Sequence, residues 1–543
     1  MIIAGVSGNF GRPEHDASAA IVVDDKVVAA AEEERFVQYK SAIGLMPDRA
    51  MKFCLDRVGV GMEDVDVLAF PRSTWVGHEE RLRWWCRNSF GSTPREIRFV
   101  DHHLSHAASS ALTSPFSDAL CVSLDMTGDG ISTAAYEWDR RVGFRHIASY
   151  KFPRSLGMAY VAITQFLGFR GTEEEGKVMA LAQTGRDNLD LSAWLGLESS
   201  GFDVNSEMFH PEVFKRYPEF HTRQLPYYSQ AFEESFPFRR LPGGPLLQEH
   251  RDLAASLQRW VNEAAAAFVG AHLDRSASRR LCLSGGVATN SVLNGHLART
   301  LPITDMFVPS APGDAGSALG AALYIANDLT GRIYTSRTSR LGPEPAEERL
   351  IAQAELGGFR VRRLSADNAA EEALSRVNDS KVIALVQGRM EFGPRALGGR
   401  SLVCHPNDPK SLSALTAIKS RAAYRPFAPS ITEASFRQLA PGHPDAHFMS
   451  YTIRVDDEGK RLLSNAIAAD GTTRAQLLHP TDGLIHTIAA GLNESAAVGA
   501  VVNTSLNTDG LPIDLDGRQA LGLLASSALA AVFLPTAVVD KGA

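Results

Sequence analysis

Residues 2–35 read IIAGVSGNFGRPEHDASAAIVVDDKVVAAAEEER. Three apolar runs, IIAGVSG (2–8), AAIVVDD (19–25) and KVVAAAEEER (26–35), follow one another with Gly, Pro and Asp between them, the punctuation of short strands. Further on, MPDRAMKFCLDRVG (46–59) has helical periodicity, and DVDVLAFP (64–71), REIRFVDHH (95–103) and DALCVSLDMTGDG (118–130) return to short apolar runs. Strands that open the chain and then alternate with helices predict an α/β architecture. Strands ending in Asp or Gly predict ligand loops at a sheet edge.

Working outward, the stretch 189–245 is irregular and rich in aromatic and charged residues, and reads as an insertion that lines or covers a cleft or merely elaborates the structure. The α/β pattern then resumes with a helix near 253–273, the strand RLCLSGG (280–286), a helix from about Ala288, and a small-residue helix after APGDAG (311–316). A polar, Pro-bearing break at TGRIYTSRTSRLGPEPAEERL (330–350) separates two periodic regions, so the expected domains are 1–342 and 343–543. In the second, KVIALVQG (381–388), SLVCHP (401–406), AAVGAVVNTS (496–505) and ALAAVFLPTAVV (528–539) are strand-like.

A chain of 543 residues exceeds one ordinary core, and 44% hydrophobic against 22% charged residues is a globular balance. The formal charge of -7 opposes a broad nucleic-acid surface. Five scattered cysteines without a CxxC pair read as buried thiols in a reducing compartment. No signal-peptide pattern and no membrane-spanning apolar run are seen, so the expected location is the cytoplasm.

In VDHHLSHAASSAL (100–112), His102 and His106 are four residues apart and project from one helix face, a geometry that chelates a metal. His103 could pair with His106 instead. Asp125, ending a strand, and Asp314, in the turn of PSAPGDAG, are candidate carboxylate ligands, with Asp129 competing. Two histidines and two carboxylates suit iron, zinc or manganese alike. Gly285 and Gly286, between a strand and a helix, could cradle phosphate, as could the loops 128–130 and 313–316; such strand-turn loops match those of an actin-like ATPase. Glu175 and Lys177 in GTEEEGKVMALA are further polar groups near a nucleotide, and Lys40 a further phosphate contact.

The last third concentrates cations around rigid turns: Arg389, Arg395 and Arg400 in QGRMEFGPRALGGRSLV (387–403), Lys419, Arg421 and Arg425 in AIKSRAAYRPFAPS (417–430), and Arg474 in DGTTRAQ (470–476). Beside them NTSLN (503–507) offers Asn503, Ser505 and Asn507. In an acidic chain such a cluster implies a local polyanion, which arginine binds as a planar bidentate donor and lysine as a point charge. Arg400 and Arg421 read instead as members of a solvated basic face.

Taken in order, HDASAAIV (15–22), AAEEERF (30–36), HHLSHAAS (102–109), EGKVMALA (175–182), SGGVATNS (284–291), PGDAGSALGAAL (312–323), GRMEFGPRALGGRS (388–401), RPFAPS (425–430) and NTSLN resemble the O-carbamoyltransferase family of nodulation-factor and antibiotic biosynthesis. The resemblance implies an actin/Hsp70-like first domain, similar to the tRNA-threonylcarbamoylation ATPase, and a YrdC-like second domain. It implies His102, His106, Asp125 and Asp314 as an iron-type shell, and Lys40, Glu175, Lys177, Gly285, Gly286 and Asn290 as nucleotide contacts. It implies Arg389, Arg395, Lys419, Arg425, Arg474, Ser505 and Asn507 as the carbamoyl-phosphate and ATP site, with Lys419, Arg474 and Ser505 acting in catalysis and Mg²⁺ accompanying ATP. His15 is the implied base or positioning group, its ordinary pKa lying near neutrality.

The expected reaction is activation of carbamoyl phosphate with ATP to carbamoyl adenylate, then transfer to a hydroxyl of a small-molecule natural product. The rival readings are a tRNA threonylcarbamoyl-type transferase, opposed by the acidic balance, and a nucleotide-gated regulatory protein without transfer activity. The absence of HExxH excludes a zincin metalloprotease. Neither the acceptor nor the oligomeric state is legible in the sequence.

Overall fold

The computed structural model describes residues 1–10, 15–24, 26–214, 225–331 and 338–542; residues 215–224 of the expected insertion lie outside them. The chain divides into two compact units, Met1–Val28 with Ser41–Arg337, and Ala29–Lys40 with Thr338–Ala543. The division falls at Arg337–Thr338 rather than after residue 342. It also includes an excursion of 29–40 into the second unit, where Ala30 N donates to Leu341 O at 3.1 Å.

In the first unit, β1 (Ile2–Ser7), β2 (Ser18–Val23) and β3 (Lys26–Glu32) open the chain. β1 and β2 pair antiparallel with Ile2 opposite Val23. After helical crossovers, β4 (Val67–Phe70) and β5 (Glu96–Phe99) add in parallel, giving the order β3-β2-β1-β4-β5. The chain then repeats this scheme. β6 (Asp118–Gly128), β7 (Ile131–Asp139) and β8 (Gly143–Lys151) form an antiparallel meander, and after a small hairpin of β9 (Leu195–Glu198) and β10 (Gly201–Val204) come β11 (Arg280–Ser284) and β12 (Asp305–Phe307). The second order, β12-β11-β6-β7-β8, mirrors the first.

Two helices join these sheets. α1 (His102–Ala111) packs on the second sheet and α2 (Asp314–Thr330) on the first, and the two pack on each other. Their small residues permit this: a Cβ on Gly320 would lie 1.9 Å from Ser105 O, and one on Gly5 equally close to Ala318 O. The aromatic residues around 189–245 pack inward. The Phe166 ring meets Tyr228 and Phe232 at 5.5 Å, Phe238 at 6.2 Å and Phe236 at 6.3 Å, which makes this region a subsidiary core.

The second unit is built on one mixed sheet of eight strands. Its members are β13 (Arg360–Arg363), β14 (Ile383–Val386), β15 (Arg400–Cys404), β16 (Ala428–Thr432), β19 (Gln476–Leu478), β20 (Ala500–Ser505), β21 (Ala531–Phe533) and β22 (Ala537–Asp540), in the order β13-β22-β21-β14-β15-β20-β16-β19; the two-residue strands β17 (Ile453–Arg454) and β18 (Thr472–Thr473) pair separately. Val382, Val386, Leu402, Val502, Val532 and Val539 fill its core with α3 (Pro409–Lys419) residues Leu415 and Ile418. All five cysteines are buried and free. Among the described residues no helix is long and apolar enough to cross a membrane.

Because α1 and α2 meet backbone to backbone, Gly320→Val is expected to cost about 1–3 kcal/mol by overpacking. Chemical denaturation checks this; an unchanged midpoint would show that the helices can part freely.

Candidate functional site

α1 begins at His102 and α2 at Asp314, and their N-terminal ends converge on the end of β6, where Asp125 stands. His102 Nε2 and His106 Nε2 are 3.1 Å apart. His102 Nε2 lies 2.8 Å from Asp125 Oδ2, and His106 Nε2 lies 3.2 Å from Asp314 Oδ1. The two crossed histidine–carboxylate distances are both 3.7 Å. Ligand bonds of about 2.0–2.1 Å in a tetrahedron give edges of about 3.3–3.4 Å, so these four atoms have the spacing of a shell around one cation. They also supply two neutral nitrogens and two charged oxygens, a donor set that fits iron, zinc or manganese.

The surroundings enforce this arrangement. A Cβ on Gly128 would sit 1.9 Å from the His102 ring, so glycine there makes room for the imidazole. Gly286 N donates to Asp125 Oδ1 at 3.2 Å, leaving Oδ2 to the histidines. Gly285 has φ +88°, and a Cβ there would lie 2.2 Å from Leu124 O. The SGG turn thus supports a metal-site carboxylate. Arg72, just beyond β4, donates to Asp314 Oδ2 at 3.2 Å and also contacts His102 Nδ1. No spacing motif marks it; its position after a strand end is its one signal in the sequence.

The open alternatives are resolved by partners distant in sequence. His103 is held by Ser123 Oγ at 2.8 Å and Ile131 O at 3.0 Å, and burial lowers its pKa to about 4, so it is a neutral core histidine. Asp129 accepts from Ser73 N, Ser73 Oγ, Thr74 N, Thr74 Oγ1 and His102 N, which makes it a loop anchor.

Burial opposes ionisation throughout the centre, and the pairing overrides it. Asp125 is held well below the usual carboxylate range by His102 and His106, and Asp314 is lowered by His102, His106 and Arg72. Burial would lower His106, but Asp125 and Asp314 raise it to about 9. His15 Nδ1 donates to Asp16 Oδ2 at 3.0 Å; burial lowers its pKa, while Asp16, Asp314 and Asp125 outweigh that and raise it to about 10. His15 is thereby placed near the centre as an imidazolium, suited to position an anion. Burial raises Glu175 to about 7, with His15 pulling the other way. Lys177 is tied to Glu174 at 2.5 Å. Lys40 is exposed and belongs to the second unit, and Asn290 caps the helix Ser291–Thr300 through Leu293 N while bonding Gln258.

The second unit carries a cationic site. Glu391 Oε1 accepts from Leu397 N at 2.7 Å and Gly399 N at 2.6 Å, folding the GPRALGG loop that presents Arg395. Burial and Arg425 lower Arg395 to about 10. Burial, Arg425 and Arg395 lower Arg421 to about 9. Arg474 is half-buried, its Nε is sealed from solvent with no hydrogen-bond partner among the described residues, and lost hydration with Arg395, Arg421 and Arg425 pushes its pKa far down. Lys419, at the end of α3, donates to Ser505 O and Asn507 O at 2.9 Å and to Asn507 Oδ1 at 2.7 Å. Burial and Arg421 lower it to about 7. Ser505 Oγ donates to Asn507 Oδ1 at 2.6 Å.

Two arginines stand differently from expectation. Arg400 is fully buried rather than solvated, donating to the carbonyls of Gly399, Leu515 and Gly388 at 2.9–3.2 Å. Arg421 is likewise not part of a solvated face, since its Nη2 donates to Pro426 O at 2.6 Å and it stacks over Phe427. Arg389 is a staple: its Nε donates to Gly342 O at 3.0 Å and its Nη2 to Leu341 O.

Residues 86–323 match the carbamoyltransferase N-terminus family and residues 374–541 the carbamoyltransferase C-terminus family. Nodulation protein NolNO of Sinorhizobium fredii is 31% identical over 95% of this chain and 77% of its own length. Nodulation protein NolO of Bradyrhizobium diazoefficiens is 32% identical over 76% of this chain and 74% of its own. Among solved structures, HypF of T. kodakarensis aligns with a TM-score of 0.37 at 13% identity, over 61% of this chain and 48% of that one.

A metal must displace the proton that His106 holds up to about pH 9. Its apparent affinity is therefore expected to rise about tenfold per pH unit between pH 6 and 8, with one proton released per ion. Calorimetry in buffers of different ionisation enthalpy checks this, and pH-independent binding would contradict the assignment. Gly128→Ala should lose the ion, read by metal content.

Proposed function

The chain belongs to the carbamoyltransferase family, and from that premise we propose that it is an O-carbamoyltransferase: carbamoyl phosphate is activated with ATP at the cationic site, and the carbamoyl group is transferred to a hydroxyl of a small-molecule natural product at the histidine–carboxylate centre. The observation that carries the reading is the gathering of the half-buried Arg395, Arg421, Arg425 and Arg474 beside the buried Lys419, where lost hydration and the neighbouring cations lower the pKa values of Arg395, Arg421 and Arg474. Partly desolvated cations that repel each other are stabilised by a polyanion, and ATP with carbamoyl phosphate supplies one. The repeated strand order supports an actin/Hsp70-like ATPase fold for the first unit, and the mixed eight-stranded sheet with its cationic loops supports a YrdC-like second unit.

The atoms balance in three steps. Water releases inorganic phosphate from carbamoyl phosphate and leaves carbamate. A carbamate oxygen then attacks the α-phosphorus of ATP, with pyrophosphate leaving and carbamoyl adenylate forming. The acceptor oxygen finally attacks the carbamoyl carbon, AMP leaves, and the hydroxyl proton passes to a base or to water. In the first two steps Arg395, Arg425, Arg474 and Lys419 neutralise charge on the phosphates as it builds on the leaving group. Ser505 and Asn507 hold the Lys419 ammonium in place. Mg²⁺ accompanies ATP.

His102, His106, Asp125 and Asp314 would hold a divalent ion, iron being expected and zinc or manganese the alternatives, which when bound supplies Lewis-acid polarisation of a carbonyl or phosphoryl oxygen. His15, as an imidazolium, steadies the anionic adenylate and the phosphate of departing AMP by its charge. Glu175, with a pKa raised to about 7, is the better-matched acceptor for the hydroxyl proton.

The test mixes the protein, ATP, carbamoyl phosphate and a panel of hydroxylated small molecules, and follows pyrophosphate release and the mass gain of one carbamoyl group. Lys419→Ala should lower pyrophosphate release by roughly 10²–10³-fold, the range for losing a donor to developing charge, while metal content stays unchanged. Unaltered release in that variant, or no consumption of carbamoyl phosphate by the native protein, would refute the reading.

A further inference from the structure

We propose that Arg35, in the segment that leaves the first unit and returns to it, is a positioning residue for the cationic site: it fixes the loop that presents Arg395. The inference rests on the reading of that site as the place where ATP and carbamoyl phosphate bind.

Arg35 is 3% exposed. Its Nε and Nη2 donate to Glu32 Oε2 at 2.9 and 2.6 Å, and Nη1 pairs with Glu34 Oε1 at 2.6 Å. Two carboxylates thus clamp the guanidinium in one orientation. From there Nη2 also donates to Gly393 O at 2.9 Å. Gly393 has φ +123°, a conformation that side-chain-bearing residues rarely adopt, and Pro394 follows it without an N–H to anchor the loop from the other side.

The backbone around Arg395 is therefore held at two carbonyls. On the near side Arg35 takes Gly393 O, and on the far side Asn503 Nδ2 donates to Ala396 O at 3.1 Å. Arg35 bonds the loop at Gly393, two residues before Arg395, so its effect on the anion passes through Arg395. A glutamate-clamped guanidinium is a rigid support. Lysine, with a point charge on a flexible stem, can keep the ion pair with the glutamates but cannot bridge both carboxylates and the Gly393 carbonyl in fixed geometry.

The experiment uses the full chain as native protein, Arg35→Lys, Arg395→Ala and the double variant. It reads the KM for carbamoyl phosphate and kcat from pyrophosphate release, and binding of inorganic pyrophosphate by calorimetry. A misplaced contact group weakens binding before it destroys chemistry, so Arg35→Lys should raise KM roughly tenfold and leave kcat within about twofold. Because Arg35 acts through Arg395, adding Arg35→Lys to Arg395→Ala should cause no further loss. Metal content should be the same in all four proteins.

An unchanged KM in Arg35→Lys, or losses that multiply in the double variant, would overturn the proposal. Should Arg35→Lys fold poorly, Glu34→Gln removes one arm of the clamp by an isosteric change and should raise KM by about threefold in the same direction; no rise there would equally overturn it. A native protein that binds no pyrophosphate would instead overturn the reading of the cationic site, and this inference with it.

Discussion

Arg395, Arg421, Arg425 and Arg474 gather around one point of the second unit, and the charges that act on the pKa values of Arg395 and Arg474 are those of other arginines. Such an arrangement is unfavourable by itself, because each half-buried guanidinium loses hydration and gains repulsion. It persists because the loops carrying these residues are fixed by other means: Glu391 folds the 391–400 turn, Arg400 binds carbonyls from Gly388 to Leu515, and Arg35 holds Gly393. The scaffold thus keeps in readiness a charge that only a bound polyanion relieves.

The first unit solves the opposite problem. There two carboxylates, Asp125 and Asp314, converge near two helix N-termini, where the helix ends favour anions, and His106, His15 and Arg72 offset their charge. His102 and His106 share those carboxylates, and the resulting cluster of donor atoms needs glycine at 128 to admit one ring and a backbone N–H at 286 to orient one carboxylate. Under the proposed function a cation would complete that centre, displacing the proton of His106, as an anion would complete the other.

Much of this was legible in the sequence, and the reasons differ by residue. The α/β class followed from the strand punctuation of residues 2–35, and the four-residue spacing of His102 and His106 with Asp125 at a strand end pointed to the centre. Local spacing could not separate His103 from a ligand, since its fate depends on Ser123 Oγ and Ile131 O. Arg400 read as solvated because its partners come from segments more than a hundred residues apart, such as Leu515 and Gly399. Arg389 matched the motif, and its contacts with Gly342 and Leu341, 47 and 48 residues before it, lie beyond the reach of that motif. The excursion of 29–40 into the second unit left no trace in the hydrophobic pattern, because β3 reads as one continuous strand across it. Arg72 escaped notice altogether, because its partners His102 and Asp314 lie 30 and 242 residues away in the sequence.

The central claim is that activation and transfer are separate events at separate sites. His106→Ala removes one of the four donors of the histidine–carboxylate centre and leaves the arginine loops untouched. Measured with carbamoyl phosphate present, ATP–pyrophosphate exchange in that variant should persist at close to the native rate while transfer to an alcohol ceases. Loss of exchange together with transfer would contradict the division of labour.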